Sequence, residues 1–295
     1  MSEGSGVSGL TAQRFGGGEG GRNIIFRKRP SINKNNVNKY YNDIINFNVP
    51  QFITTAADFI KDAVDNLEYA GILVPLSGGL DSAVVAAISK ETGKKVELLT
   101  VVDKKYIRPQ DITDVKAIAH RLGLKLNLLD ASEAFDVPKN LYTDHTIMGI
   151  RSSLIYGEGE KNNSLIINCG NKSEELYDLC NPSGAVGTIL PIGNMYKTQI
   201  YHIAEYLNLP RYIKIKPSHS GIVGEDNDEK GLGHSFKTLD VLSHLLLDRK
   251  WTPENVAKEL NLSSTYVSDF KSKILKNSQK MSFPMLEFNP TSSFL

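Results

Sequence analysis

The stretch GILVPLSGGLDSAVVAAIS, residues 71–89, decides the fold of this chain. Its first six residues carry no polar side chain, which is typical of a strand buried on both faces of a parallel sheet. A glycine-containing turn follows and leads into a second apolar segment, residues 81–89, which predicts a buried helix. A strand, a tight turn and a helix in this order predict the opening of a βαβ unit.

The same alternation extends on both sides of this stretch. Apolar runs predict further strands at residues 95–102, 125–132 and 164–170, with a short one at 188–190. Helical spacing of apolar residues predicts helices at 52–67, 111–122 and 194–207, and another that opens at Asn171. The chain is therefore predicted to be α/β, a Rossmann-like parallel sheet with helices on both faces. Ligands of such sheets bind at the carboxyl ends of the strands.

Composition excludes several classes of protein. Of the 295 residues, 40% are hydrophobic and 23% charged, and 34 basic against 33 acidic side chains give a net charge of +1. That balance disfavours a chain that coats nucleic acid or a membrane surface. Two cysteines, Cys169 and Cys180, are too few for a disulfide framework or a four-cysteine zinc site. No apolar run reaches the length of a membrane span or of a signal-peptide core, so we expect a cytoplasmic protein.

The two ends of the chain differ from its centre. Residues 1–22 are rich in Gly and Ser, and residues 22–39 carry several basic side chains without an acidic one. We expect residues 1–39 to be a flexible, solvated tail, the alternative being an arm for RNA or another anionic partner. Residues 40–284 are predicted to form a single domain with a C-terminal helical hairpin at about 252–276. Residues 285–295 complete the chain as a second tail.

The turn SGGLDS, Ser77 to Ser82, carries the strongest chemical signal. Glycines let the backbone wrap closely around an anion, and the N–H groups that open the following helix favour phosphate oxygens. The turn matches neither the dinucleotide fingerprint GxGxxG nor the Walker pattern GxxxxGK[ST]. On its own it could equally be a connection in which Asp81 serves only as the N-cap of the helix.

SGGLDS after an apolar strand resembles the PP-loop ATP pyrophosphatases, which cleave ATP between the α- and β-phosphates. GNKSE at residues 170–174, LPIGNMYKTQ at 190–199, and Pro217-Ser218 with a later acidic pair at 228–229 are similar to segments of the NAD synthetases, in particular of the ammonia-dependent type. The resemblance covers about residues 40–284. It implies an adenine-nucleotide α-hydrolase-like fold.

The resemblance also implies roles for individual residues. It implies that Asp81, Glu174 and Lys197 are catalytic and that Asp81 and Glu174 bind Mg²⁺. The residues implied to bind ATP and pyrophosphate are Ser77, Gly78, Gly79, Leu80, Asp81, Ser82, Lys197 and Ser218. Those implied to bind the acid substrate are Arg151, Asn171, Lys172 and Lys280. Taken singly, Glu174 could be part of a capping box with Asn171, and Lys197 could be a surface lysine.

The implied reaction is ATP-dependent amidation of a carboxylate. Adenylation converts the carboxylate into a mixed anhydride, which ammonia can attack, and in the family deamido-NAD⁺ and ammonia give NAD⁺, AMP and pyrophosphate. The resemblance also implies a homodimer. We expect no fused glutaminase domain within these 295 residues, so nitrogen would arrive as free ammonia or from a separate glutaminase.

The acid-substrate side departs from the family pattern. Of an Arg-x-Arg-Met stretch only Arg151 is kept, and a GDGG-type turn reads Ser-Gly-Ala-Val at residues 183–186. A C-terminal His-Lys-Arg reads Gln-Lys-Met at residues 279–281. The alternative that these differences leave open is a paralogue that adenylates and amidates a different carboxylic acid.

A second alternative comes from residues 252–273, whose pattern resembles a helix-turn-helix. Together with the basic N-terminal segment, it would suit a DNA-binding regulator. Its second helix offers just Lys271 and Lys273 for phosphates, however, and NAD synthetases themselves end in a helical hairpin. We therefore expect neither nucleic acid nor a membrane among the partners.

Overall fold

The computed structural model describes residues 31–103, 107–141, 143–179, 182–217 and 228–278. The strands are β1 Gly71–Pro75, β2 Val96–Val102, β3 Lys125–Asp130 and β4 Ser164–Ile166. The helices are α1 Lys34–Ile45, α2 Val49–Asn66, α3 Leu80–Glu91, α4 Pro109–Leu122, α5 Asp144–Lys161, α6 Lys172–Leu176, α7 Lys197–Tyr206, α8 Arg211–Ile215, α9 Asp228–Leu232, α10 Phe236–Ser243, α11 Pro253–Leu260 and α12 Ser264–Asn277.

Four parallel strands form one sheet in the described part of the chain, in the order β3-β2-β1-β4. β1 is central and pairs with both β2 and β4, as Ile72 lies opposite Val96 on one side and Leu165 on the other. The predicted parallel α/β fold is confirmed. The strand expected at 188–190 is reduced to a single parallel bridge between Ile167 and Ile189, which continues the sheet beyond β4.

Helices cover both faces of the sheet. Successive strand residues point to opposite sides and therefore pack into two different cores. Ile72, Val74 and Leu98 pack into a large core with α2, α3, α4 and α7. Leu73 and Leu99 pack on the other face, in a smaller core that includes α5. Burial on both faces explains why the strands read as continuous apolar runs rather than as alternating patterns.

A second body of helices lies beside the sheet. Its core joins residues of α1, α6, α9, α10, α11 and α12. The hairpin residues expected at 252–276 are α11 and α12, and buried Asn277 near the end of α12 donates a 2.9 Å hydrogen bond to the carbonyl of Leu176 in α6. Helix α12, the second helix of the segment that resembles a helix-turn-helix, therefore packs beside the GNKSE segment, which does not favour the DNA-binding alternative.

The prediction that residues 1–39 form a flexible tail is wrong for the last of these residues. Helix α1 begins at Lys34, with Asn33 as its side-chain N-cap, and buries Val37 and Tyr40. The Tyr40 hydroxyl donates to Glu259 of α11 at 2.9 Å. The spacing of Val37, Tyr40 and Ile44 is helical, so these residues order a segment whose polar composition had suggested solvent. Residues 1–30 lie outside the described residues.

Helix α5 was not predicted, because its exposed positions weaken the apolar periodicity of its sequence. Only Ile147, Ile155 and Gly159 are buried along its length. Among the described residues, no helix is long and apolar enough to cross a membrane.

Candidate active site

The SGGLDS turn connects β1 to α3 at the carboxyl end of the sheet. Gly78 has φ +78°, a left-handed conformation that favours glycine. Ser82 ties the turn together, because its hydroxyl accepts from the backbone N–H of Ser77 at 3.2 Å and lies 3.0 Å from the Ser77 hydroxyl. Leu80, by contrast, is buried in the core. The turn therefore presents backbone and hydroxyl groups at the start of a buried helix.

Asp81 is not the N-cap of α3. Gly79 occupies that position and makes no side-chain cap, whereas Asp81 lies in the first turn of the helix. Its carboxylate accepts a hydrogen bond from the Lys197 ammonium and another from the Asn171 side-chain amide at 3.1 Å. The N-cap interpretation is wrong, because Gly79 is the N-cap. The Asp81 carboxylate instead contacts two segments that are distant in sequence.

Lys197 is the centre of the charged cluster. It begins α7, its side chain is only 3% exposed, and its ammonium lies 3.6 Å from Glu174 in addition to its contact with Asp81. The interpretation of Lys197 as a surface lysine is therefore wrong. Residues from α3, α6 and α7, far apart in sequence, form one cluster of two partly buried carboxylates and one buried ammonium.

Burial and charge act in opposite directions on this cluster. Burial lowers the pKa of Lys197, but the negative charges of Asp81 and Glu174 outweigh it, so the pKa of Lys197 is raised and the lysine stays protonated. For Glu174, burial and the charge of Asp81 raise the pKa to about 7 against the opposing effect of Lys197. One lysine thus does not fully compensate two carboxylates.

Two carboxylates beside a turn suited to phosphate form a donor set that fits Mg²⁺. This ion is usually held by one or two carboxylates, with phosphate oxygens and water completing its octahedron. Within the described residues, no group of three or more His, Cys, Asp or Glu side chains could hold a metal by itself. The protein would therefore contribute Asp81 and Glu174, and a bound polyphosphate would contribute the rest.

Asn171 connects the cluster to its helix. Its side-chain oxygen caps α6 by accepting from the backbone N–H of Glu174 at 3.0 Å, while its amide donates to Asp81. The capping interpretation is therefore right for Asn171. Glu174, in contrast, is directed by this cap toward Lys197, so its carboxylate takes part in the charged cluster.

Asp240 of α10, which sequence reasoning missed, joins the two helices that carry Glu174 and Lys197. It is fully buried and accepts from the Ser173 hydroxyl at 2.6 Å and from the backbone and hydroxyl of Thr198 at 3.0 and 2.8 Å. The Ser173 oxygen also accepts from the backbone N–H of Lys197 at 2.8 Å. The signal was present, because an acid among apolar residues of one helix indicates a buried polar anchor.

Cys169 lies close to the cluster. Burial, with the nearby charges of Asp81 and Glu174, raises the pKa of its thiol well above the usual value. Because the thiolate is the reactive form, this shift disfavours a nucleophilic role for Cys169.

The NAD synthase family model matches residues 52–284, which include the whole cluster. The chain belongs to the NAD synthase family. It is 30% identical over 247 residues to an NH₃-dependent NAD⁺ synthetase of Methanocaldococcus jannaschii, and 29% identical over 242 residues to that of Thermococcus sibiricus. Each match covers 79% of this chain and 95% of the relative.

Solved structures agree with this membership. An NH₃-dependent NAD synthetase from Campylobacter jejuni superposes with a TM-score of 0.63 at 26% identity, covering 81% of this chain and all of that one. An NMN synthetase from Francisella tularensis, at 21% identity and a TM-score of 0.64, shares the fold.

In this NAD synthase family member, Arg151 and Lys172, two of the residues expected to bind the acid, pair with carboxylates outside the Asp81 cluster. Arg151 of α5 donates to the fully buried Asp103, at the end of β2, at 3.0 Å. Lys172 donates to Asp248 at 2.7 Å, in a π-helical turn after α10, and lies 4.2 Å from the ring centre of Tyr196. Neither cation contacts the Asp81 cluster in this conformation. Asp103 was missed by sequence reasoning, although its place at a strand end was visible.

The turn at residues 183–186 packs on the helix that carries Arg151. The hydroxyl of Ser152 donates to the Ser183 carbonyl at 2.5 Å, and His145 lies 3.2 Å from the Ser183 hydroxyl. Two of the three segments whose sequences depart from the family pattern are thus neighbours, and the third, at residues 279–281, lies outside the described residues. The remaining expected site residues, Ser218 and Lys280, lie outside the described residues.

Proposed function

We propose that this protein amidates the carboxylate of deamido-NAD⁺ with ammonia, using ATP and releasing AMP and pyrophosphate. Family membership supports the reaction class, and relatives along 79% of the chain are named NH₃-dependent NAD⁺ synthetases. The observation that carries the proposal is the contact of buried Lys197 with Asp81, which belongs to the SGGLDS turn, and with Glu174.

In the first step a carboxylate oxygen attacks the α-phosphorus of ATP, and the bond to the β-phosphate bridging oxygen breaks. The SGGLDS turn would receive the departing pyrophosphate with its backbone N–H groups and the hydroxyls of Ser77 and Ser82. Mg²⁺ held by Asp81 and Glu174 would neutralise phosphate charge. Lys197, kept protonated by its two carboxylates, would stabilise the negative charge that develops on the phosphates.

In the second step ammonia attacks the acyl carbon of the adenylate, and AMP leaves with the former carboxylate oxygen. Ammonia loses one proton in this step, and the phosphate of the leaving AMP, which gains a negative charge, or bulk water takes it up. The chain contributes chiefly by holding the reactants in position, which can supply a large part of the barrier reduction. Arg151, Asn171, Lys172 and Lys280 are proposed to bind the acid substrate, and Ser218 to bind ATP.

The proposal includes free ammonia as nitrogen donor, Mg²⁺ as the metal, a homodimer, and a cytoplasmic location, where ATP and nicotinamide nucleotides occur. Light scattering of the purified chain tests the dimer. Removal of Mg²⁺ with a chelator should abolish turnover, and adding Mg²⁺ back in excess should restore it.

The direct test is incubation of the protein with ATP, Mg²⁺, ammonium and deamido-NAD⁺, followed by chromatography of the products. Equal amounts of NAD⁺, AMP and pyrophosphate are expected. ADP and phosphate instead of AMP would contradict the ATP chemistry. AMP that forms only with another acid would keep the chemistry and overturn the substrate.

A further inference from the structure

Lys216 forms a charged contact beside the SGGLDS turn that no recognised motif includes. Its ammonium donates to the carbonyl of Gly78 at 3.1 Å, to Asp111 at 2.6 Å and to Asp114 at 2.7 Å. The side chain is 16% exposed, and those of Asp111 and Asp114 are 6% and 3% exposed. One cation therefore joins three segments: the SGGLDS turn, the first two turns of α4 and the chain that follows α8.

The two carboxylates give Lys216 its position. Asp111 and Asp114 lie three residues apart on one face of α4, so their charges are adjacent and both are buried. Buried like charges require a cation or protonation. Burial lowers the pKa of Lys216, but its hydrogen bonds to the two carboxylates outweigh this, and the pKa is raised.

Helix α4 also supports the turn directly. A Cβ atom on Gly78 would lie 3.1 Å from the backbone oxygen of Asp111. Gly78, in its left-handed conformation, thus packs against the start of α4. Lys216 adds a hydrogen bond to the Gly78 carbonyl. The first turn of α4 is therefore a platform for the turn.

We propose that Lys216 is a positioning residue that orients the Gly78–Gly79 peptide for phosphate binding. In a trans peptide the C=O and the N–H point in opposite directions. Holding the Gly78 carbonyl toward α4 consequently directs the N–H of Gly79 away from α4. Among the described residues, the Gly79 N–H donates a long 3.3 Å hydrogen bond to the Ser77 hydroxyl, which a phosphate oxygen could replace. This inference rests on the proposed function of the turn.

The test compares Lys216→Met with the triple variant Lys216→Met, Asp111→Asn, Asp114→Asn. The single variant leaves two buried carboxylates unpaired and should lose stability. The triple variant removes all three charges with nearly isosteric side chains and should recover most of the unfolding temperature. Both variants lack the bond to the Gly78 carbonyl. Lys214→Met is the matched control, because the Lys214 ammonium pairs with Glu205 instead.

For both Lys216 variants we expect the KM for ATP to rise about tenfold while kcat and the KM for deamido-NAD⁺ change little, as the loss of one oriented charge-assisted hydrogen bond implies. Calorimetry with inorganic pyrophosphate and Mg²⁺ should show a comparable loss of affinity. Lys214→Met should match the native chain. A triple variant with native KM for ATP and native pyrophosphate affinity would overturn the inference, because Lys216 would then only neutralise Asp111 and Asp114.

The two proposals fail in distinguishable ways. If the native protein makes NAD⁺ and the triple variant keeps the native KM for ATP, only the role of Lys216 is overturned. A native chain that binds pyrophosphate, loses affinity on substitution of Lys216, and yet makes no NAD⁺ overturns only the proposed reaction. A native chain that neither binds pyrophosphate nor turns over overturns both.

Discussion

The two regions that we propose to bind ATP and the acid substrate, called the ATP side and the acid side, are both built from ion pairs but arrange their charges differently. On the ATP side, Lys197 lies between Asp81 and Glu174, and one cation faces two carboxylates. On the acid side, Arg151 pairs with the buried carboxylate of Asp103. The first arrangement has one more carboxylate than cation and is suited to receiving a further cation with a phosphate.

The sequence differs between these sides in the same way. The segments around Asp81, Glu174 and Lys197 match the family pattern, and the departures among the described residues fall on α5 and the turn at 183–186. These two segments contact each other through Ser152 and Ser183. The segments that match the family pattern and those that depart from it therefore lie in separate parts of the fold.

The largest effect is expected from Asp81→Asn. It removes one carboxylate from the Lys197 cluster while keeping the shape of the side chain, and kcat should fall by on the order of 10³-fold because electrostatic stabilisation of this kind dominates such reactions. Steady-state kinetics, with circular dichroism to confirm folding, measures this. Asp65→Asn, which removes a carboxylate from a surface ion pair with Lys94, is the control and should keep native activity. Retained activity in Asp81→Asn would contradict the role of the cluster.

The acid side is tested by the double variant Arg151→Met, Asp103→Asn. Removing both charges avoids leaving the buried Asp103 carboxylate without its Arg151 partner, since breaking a buried ion pair by removing one partner costs about 3–5 kcal/mol of stability. If Arg151 binds the acid, the KM for deamido-NAD⁺ should rise by about one to two orders of magnitude while the KM for ATP is unchanged, consistent with loss of a charge-assisted contact. A change in the KM for ATP alone would show that the two sides are not separate.

Asp240→Asn should have a smaller effect on catalysis. The amide keeps one acceptor but cannot accept all the hydrogen bonds from Ser173, Tyr177 and Thr198, so α6 and α7 should lose their common anchor. We expect kcat to fall about tenfold and the free energy of unfolding by about 1–3 kcal/mol. Denaturant unfolding and kinetics on one sample measure both. Unchanged kcat despite lower stability would limit Asp240 to a structural role.

The smallest effect concerns stability and pH in the metal-free protein. The pKa of Glu174 is raised in the folded state to about 7, so the unfolded chain releases this proton first as the pH rises. The native protein should therefore lose stability relative to Glu174→Gln between about pH 4.5 and 7, and the difference should persist above that range. Thermal unfolding from pH 4 to 8 measures it. A native protein that instead gains stability relative to the variant would contradict the excess of negative charge.

Much of this arrangement could be predicted from the sequence because it depends on local patterns. The buried strand before Ser77 and the helix after Gly79 follow from apolar periodicity, and Asn171 follows from capping chemistry. The pairing of Arg151 with Asp103 and the anchoring role of Asp240 could not be predicted, because they depend on which elements become neighbours. Helix α1 was missed for a related reason. Its polar composition conceals three apolar residues that find a partner only in the folded chain.

The central claim is that the carboxylate is activated as an adenylate, and isotope transfer tests it most directly. Deamido-NAD⁺ labelled with ¹⁸O in its carboxylate is incubated with the protein, ATP, Mg²⁺ and ammonium, and the products are separated by mass spectrometry. The mechanism predicts one ¹⁸O atom in the phosphate of AMP for each NAD⁺ formed and none in pyrophosphate. Label in inorganic phosphate or pyrophosphate, or unlabelled AMP beside newly formed NAD⁺, would contradict it.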